Sequence, residues 1–431
     1  MKILLEGPIL SQSGYGEHAR LIYRALKSSE NLEIHINPLL WGKTNWVNYL
    51  DKKEEESINH SIREFYQEIA VAKQNSEQSK YDLHVYIGYV SEYKRRAEHS
   101  VCVTAGIETD KISKNWVLST YNNPPDKIIF PSSHSMETFR ATSYPGKDNH
   151  GNKILISANK DCKLEVIPYP IKNYDVDNLK LNIETKFNFL SIATGASRKN
   201  TLNMISWFVQ EFKDESVGLV LKLNRKDNSL IDREKTVDFV KKALDKYQDR
   251  KCKVYLLHGD LTDSQIHSLY KREDIHAYLT TTRGEGYGLP IFEAAYCGLP
   301  IVATDWSGHL DFLSAPYKQS GKIKDKKLFA KIRYDLVEVP EKNLSKDVIE
   351  KGSKWAEPIE KSAKKQMREV YNNYGMYKKW ALTLKDHIEK THSEEKILET
   401  MRDSIIKGCK PQGLQAPKLQ ELEGYSDEII L

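Results

Sequence analysis

The sequence predicts an α/β protein made of two doubly wound, Rossmann-like parallel-sheet domains in tandem. Three observations lead there. Short apolar segments alternate with longer stretches of helical periodicity through most of the 431 residues. The alternation is interrupted from Pro168 to Lys186, a stretch with Pro168 and Pro170 and little periodicity, and then resumes. The composition, 39% hydrophobic and 29% charged, supplies enough apolar material for cores under a solvated surface, which excludes wholesale disorder and a fibrous fold.

In the first half the strand segments are Lys2 to Leu5, Leu32 to Ile36, Leu83 to Tyr89, Val101 to Ala105, Lys127 to Pro131 and Leu164 to Pro168. Each is short and rich in β-branched and other apolar residues. Between them lie helical stretches at Glu17 to Ser28, at Glu55 to Gln78 with a polar pattern, and at Ser133 to Ala141. After the linker, strands at Phe187 to Ala193, Val217 to Lys222, Lys253 to Leu257, Ala277 to Thr280 and Ile301 to Thr304 alternate with helices at Leu202 to Phe212, Arg233 to Tyr247, Ser264 to Tyr270 and Pro290 to Cys297. Beyond Trp355 only helical patterns follow, and from Lys410 the chain is polar and rich in Pro, Gly and Gln. The expected organisation is a first domain over 1–172, a second over 187–370, and a helical segment over 371–431 that returns to the first. Tandem domains of this kind leave a cleft between them, and open parallel sheets bind ligands at the C-terminal ends of their strands.

Several classes are excluded or disfavoured. Apolar runs such as Val217 to Leu223 are broken by Lys222, well short of the roughly 18–20 residues that a spanning helix needs, so no stable membrane insertion is expected. The opening residues meet Glu6 after three apolar ones, which does not read as a signal peptide and leads to an expected cytoplasmic location. Cys102, Cys162, Cys252, Cys297 and Cys409 are far apart, with no metal or redox pair, and read as reduced thiols. The histidines, among them His134, His258 and His309, lack metal-site spacing, so no metal is expected; Asp175-Val176-Asp177 falls in the linker and reads as coincidence. The net charge of +5 permits a polyanionic partner without demanding one.

The densest chemical cluster is Arg283-Gly284-Glu285-Gly286-Tyr287-Gly288-Leu289-Pro290, continuing to Glu293 and Cys297-Gly298-Leu299-Pro300. Three glycines ahead of a proline make a loop that a ligand can approach closely, and Pro290 suits a first helical turn whose free N–H groups favour an anion. Glu293 is placed in that first turn with its side chain leaning back toward the loop, so that it and Glu285 face one ligand. A tight turn followed by a favourable helix-start acid is the plainer alternative.

With these residues the chain resembles the retaining GT-B glycosyltransferases of the large family 4. Their signature is a pair of glutamates eight positions apart in a glycine loop, a small-residue helix and a Gly-x-Pro turn, here Glu285, Glu293 and Gly298-Leu299-Pro300; Ile301 to Gly308 also looks like the family. The resemblance implies the GT-B fold, two Rossmann-like domains facing a central cleft, and a nucleotide-diphosphate sugar as co-substrate, a UDP-sugar favoured, with no further cofactor. It places Glu293 on the ribose, Glu285 against the donor sugar, and Gly286, Tyr287, Gly288 and Leu289 at the donor. Thr194 to Asn200 resembles the donor-phosphate loop, with Lys199 the best match and Arg198 assisting; the family's further arginine falls at Ala193, and Lys222 is a substitute cation or simply a strand lysine. His258 to Thr262 resembles the loop lining the nucleobase.

In the first domain, Ser11 to Arg20 is similar to a loop that closes over donor phosphate or acceptor, with Gly14 and Gly16 allowing close approach. Gly106 to Asp110, Trp116 and Pro131-Ser132-Ser133 are similar to a family subgroup, with Glu108 or Asp110 where many relatives carry a histidine; Trp116 reads as core or as a stacking platform. The implied reaction is metal-independent, retaining glycosyl transfer to a hydroxyl. The opening GPILSQSGYGEHAR also looks like glycosyltransferases encoded by phages, which suggests hydroxymethylated bases of double-stranded DNA as acceptor, with Tyr15 near the acceptor and Lys94, Arg95, Arg96, Lys322, Lys324 and Lys326 tracking phosphates. A glycan or lipid-linked acceptor, or a catalytically silent sugar-nucleotide-binding module, are the alternatives; a monomer or homodimer is expected.

Overall fold

The computed structural model describes residues 1–407 except 43, 48–50, 77–79, 148–151, 159–161, 178, 227 and 320. Cys409 and the polar stretch from Lys410 lie outside the described residues. The first sheet and its helices are built from β1 (Lys2–Gly7), α1 (Gly14–Lys27), β2 (Glu33–Pro38), α2 (Lys52–Gln74), β3 (Leu83–Ile87), β4 (His99–Val103), α3 (Lys114–Asn122), β5 (Lys127–Phe130), α4 (Ser133–Ala141), β6 (Ser143–Lys147), β7 (Lys153–Ser157) and β8 (Lys163–Val166). The second set is β9 (Phe187–Thr194), α5 (Thr201–Phe212), β10 (Val217–Asn224), α6 (Leu230–Leu244), β11 (Lys253–Leu257), α7 (Asp263–Lys271), β12 (Ala277–Leu279), α8 (Leu289–Tyr296), β13 (Ile301–Thr304), β14 (Ser314–Gln319), β15 (Lys322–Lys327), β16 (Ala330–Ile332), β17 (Tyr334–Glu338), β18 (Lys354–Pro358), α9 (Glu360–Asn372) and α10 (Tyr374–Thr391), followed by α11 (Glu394–Lys407).

Both main sheets are parallel, with the same strand order: β2-β1-β3-β4-β5-β8 and β11-β10-β9-β12-β13-β16. The chain winds outward from β1 in one direction and, after β2, in the other, so the order reverses between β1 and β3, and likewise between β9 and β12. Loops leaving the C-terminal ends of such a strand pair diverge to opposite faces and open a crevice. Strands covered on both faces read as continuous apolar runs. In β10, Val217 to Leu223 are all buried, Lys222 included. One core packs Tyr86, Cys102, Ile128, Phe130 and Phe139, the other Phe189, Phe208, Phe212, Leu221 and Leu279.

The chain divides into two compact units, Met1–Tyr169 with Val339–Ser353 and the chain from Glu395, and Pro170–Glu338 with Lys354–Glu394. This division differs from the expected one in two places. The helical return starts at Glu395 rather than 371, because Met367, Val370 and Tyr377 of α9 and α10 pack in the second core. The segment Val339–Ser353 belongs with the first unit, where Asp347 O accepts from Trp116 Nε1 at 2.8 Å. Trp116 is 3% exposed and is a core residue. Helix α11 is pinned by the buried Lys127, whose Nζ donates to Ser404 O (2.6 Å) and Oγ (2.8 Å) and pairs with Glu165 at 2.9 Å. The linker is tied to α7: Asp177 N donates to Ser268 Oγ (2.7 Å) and Ser264 Oγ to Asp175 O (2.5 Å).

Candidate active site

The second unit concentrates charge where its strand order reverses. The loop after β9 carries Arg198 and Lys199 in a single 3₁₀ turn ended by Asn200 at φ 55°. The loop after β12 carries Arg283 to Gly288. Lys199 Nζ donates to both oxygens of Glu285, at 2.7 and 2.9 Å, and Arg198 Nη1 donates to Glu285 Oε2 at 3.0 Å and to Gly284 O. The two loops are laced further: Arg283 N donates to Arg198 O at 2.8 Å, and the Arg283 guanidinium forks onto Glu357 at 2.5 and 2.8 Å while lying over Trp355.

Glu285 is 6% exposed. Burial by itself pushes its carboxyl up, but Lys199 and Arg198 outweigh that and hold it far below the ordinary carboxylate range. Its backbone is fixed as firmly: Glu285 N donates to Ser307 Oγ (2.9 Å) and Gly308 N donates to Glu285 O (3.0 Å). The triad sets one buried carboxylate against two partly buried cations. Gly288, at φ 94°, then turns the chain into α8, where Gly288 O accepts from Ile291 N (2.9 Å) and Phe292 N (3.0 Å) and Pro290 in the first turn carries no N–H.

Glu293 lies one residue beyond the first turn of α8 rather than within it, since the helix starts at Leu289. It is half-buried, and Tyr270 OH of α7 donates to its Oε2 at 2.9 Å. Tyr287 departs from the expected donor contact. Its side chain is 3% exposed against Phe292 and Phe312, so only its backbone belongs to the loop.

A second feature opens at the C-terminal ends of β10 and β11: a cavity of about 470 Å³ lined by Leu179, Leu181, Lys222, Asn228, His258 and Gly259 among others. Lys222 is 8% exposed and has no hydrogen bond or ion pair among the described residues, and burial lowers its pKa against the opposing charge of Asp260. Asn228 donates its amide to Asp260, which leaves Oδ1 buried with no partner among the described residues. His258 lines this cavity with its ring nearly enclosed, and its Nε2 lies 3.1 Å from Asp232 Oδ2. Asp232 also accepts from the backbone N–H groups of Arg225 and Lys226, both at 3.0 Å.

In the first unit, Ser13 caps α1 by accepting from Gly16 N at 3.1 Å. Gly16 is required for packing rather than ligand approach, since a Cβ there would sit 2.0 Å from Ser11 O. At the exposed Gly14 a Cβ would meet nothing within 4 Å. Glu108 is half-buried and bears on Tyr15 and Tyr89, whereas Asp110 is exposed and bears on Tyr144. The expected phosphate-tracking cations are partly consumed. Arg95 donates to Pro124 O (2.7 Å) and Asp126 (2.8 Å), Arg96 turns to Glu6 at 3.8 Å, and Lys326 lies over Tyr317 and Trp380. Lys94, Lys322 and Lys324 are exposed. Asp232, Asn228 and Tyr270 escaped the sequence reading, because each acts through a partner distant in sequence and sits in no motif.

Residues 230–355, which hold the glutamate loop but not the Lys199 loop, match the family of glycosyl transferases group 1. Solved structures share the fold over 94% of this chain: sucrose-phosphate synthase of Thermosynechococcus elongatus (12% identity, 98% of that chain, TM-score 0.57), a glycosyltransferase of Rickettsia africae (12%, 98%, 0.56), and Anabaena HepE in complex with UDP and glucose (13%, 100%, 0.54). No curated protein matches the chain. The fold is GT-B. Fold and family match together support a GT-B glycosyltransferase.

Proposed function

We propose that the protein is a retaining glycosyltransferase of the family 4 type that moves a sugar from a nucleotide-diphosphate donor to a hydroxyl without a metal. The observation that carries this is the buried Glu285–Lys199–Arg198 triad at the strand-order reversal between β9 and β12. In the reaction the acceptor oxygen bonds to the sugar's anomeric carbon as the bond from that carbon to the diphosphate oxygen breaks. The electron pair goes to the diphosphate and the acceptor's proton to a released phosphate oxygen. Fixed cations at the leaving group lower that barrier because charge accumulates there. Glu293, oriented by Tyr270, takes the ribose hydroxyls, and Glu285 both positions the cations and borders the donor sugar.

Lys222 offers the 470 Å³ cavity a charged donor. A donor there suits a base carbonyl oxygen, as in uracil, which supports a UDP-sugar; the HepE structure, with UDP and glucose bound, is compatible with this. A DNA acceptor draws less support, since Arg95 and Lys326 are engaged elsewhere. The test is nucleotide release from a panel of UDP-, GDP- and ADP-sugars with NMR of the product's anomeric configuration. Expected is release from a UDP-sugar with configuration retained, falling about 10²–10³-fold in Lys199→Ala. No release from any donor leaves the silent binding module as the reading, and an inverted product refutes the retaining mechanism.

A further inference from the structure

The first unit has its own strand-order reversal, between β1 and β3, and what gathers there is aromatic and acidic. Tyr15 stands in the first turn of α1 after β1, Trp41 shortly after β2, and Tyr89 just after β3. Their rings form a closed group: Tyr15–Trp41 centroids are 4.2 Å apart, Trp41–Tyr89 4.8 Å and Tyr15–Tyr89 5.4 Å. All three residues are half-buried, and none belongs to the unit's hydrophobic core cluster, although Tyr89 packs against it. Beside them Leu40 is 83% and Trp46 64% exposed.

The group is held in place. Tyr15 OH lies 2.8 Å from Thr104 Oγ1, which fixes the direction of the ring. The segment bearing Trp41 is strapped to the β1–α1 loop by Gln12 N to Asn45 O (2.8 Å), Val47 N to Leu10 O (2.9 Å) and Ser11 Oγ to Thr44 Oγ1 (2.6 Å). Glu92 follows Tyr89 in one 3₁₀ turn, its N donating to Tyr89 O at 2.9 Å, and Glu108 is half-buried in the loop after β4; both add to burial in raising the Tyr89 phenol to about 12.

We infer that Tyr15, Trp41 and Tyr89, rimmed by Glu92 and Glu108, form a platform for a neutral carbohydrate ring, so that the acceptor is itself a sugar. The inference rests on the glycosyltransferase reading above. Sugar C–H faces lie on aromatic rings, burying apolar area, while carboxylates accept the equatorial hydroxyls. A DNA acceptor brings phosphates, which a carboxylate rim repels.

The test applies saturation-transfer NMR to the full chain. The probes are methyl glucosides and galactosides, maltose, cellobiose and N-acetylglucosamine oligomers, run beside hydroxymethylcytosine DNA in single and double strands. Expected is transfer from protein to the C–H protons of at least one sugar, weakened at least tenfold in Trp41→Ala and largely kept in Trp41→Phe. Binding of DNA with no sugar bound, no sugar bound at all, or equal binding by Trp41→Ala overturns the platform. Glu108→Gln, which leaves the rings in place, should weaken sugar binding as well, and an unchanged affinity counts against the rim. UDP binding, followed separately by thermal shift, reports the donor site: its absence sinks the transferase reading, whereas its presence without sugar binding sinks only this inference.

Discussion

Lys199→Met probes whether the glutamate loop is built around its ion-pair triad. Three hydrogen bonds from the two cations reach the Glu285 carboxylate, at 2.7, 2.9 and 3.0 Å, and Lys199 supplies two of them. Removing one partner of a buried pair costs about 3–5 kcal/mol, because a charge is stranded in the interior. Arg198 keeps one bond, so the expected loss is about 2–3 kcal/mol, a Tm shift of about 4–12 °C for a unit of roughly 150–250 residues. The pH dependence follows from the sign of the shift. The folded carboxyl is held below its ordinary value of 4.5, so the stability it lends is fully present above that value and is lost as pH falls toward the folded value. Urea unfolding followed by circular dichroism, at about pH 7 and about pH 3.5, should therefore show the gap between wild type and Lys199→Met narrowing at the lower pH. A gap that is absent at neutral pH, or that does not change with pH, would refute the reasoning.

The two glycines of the first loop separate sharply. Gly16→Ala forces a Cβ to 2.0 Å from Ser11 O and should cost about 3 kcal/mol or more, whereas Gly14→Ala meets open space and should be neutral or stabilising by up to about 1 kcal/mol; thermal unfolding decides. Lys127→Met strands Glu165 beside Ser404 and should loosen α11, read as faster hydrogen exchange over Glu394–Lys407 than in the rest of the unit. Lys222→Met should raise the Kd for UDP about 5- to 20-fold by calorimetry, from the loss of a charged hydrogen bond of about 1–2 kcal/mol. Unchanged UDP affinity would place the base elsewhere.

Much of the fold was legible along the chain because parallel strands buried on both faces must be continuous apolar runs, and helices between them must carry one apolar stripe. Phe187 to Ala193, Val217 to Lys222 and Lys253 to Leu257 fall on β9, β10 and β11 within two residues. The hairpins β14–β15 and β17–β18 were not legible, since short charged strands such as Lys322–Lys327 carry no buried face to impose a pattern. Helix α3 was hidden in the same way, its buried Trp116, Val117 and Thr120 making only a brief stripe.

The sequence by itself determined the two alternating α/β blocks, the linker from Pro168, and the Glu285 to Pro300 string, because local periodicity and glycine-proline chemistry are written in consecutive residues. Only the tertiary structure decided what each site residue does. Glu285 locks onto Lys199 and Arg198 from a loop more than eighty residues away, Tyr287 is spent on packing, Arg95 is spent on Asp126, and Tyr15, Trp41 and Tyr89 become one group. The physical reason is that a parallel sheet brings the C-terminal ends of distant strands to one edge, so partners at that edge are neighbours in the sheet and strangers in the chain.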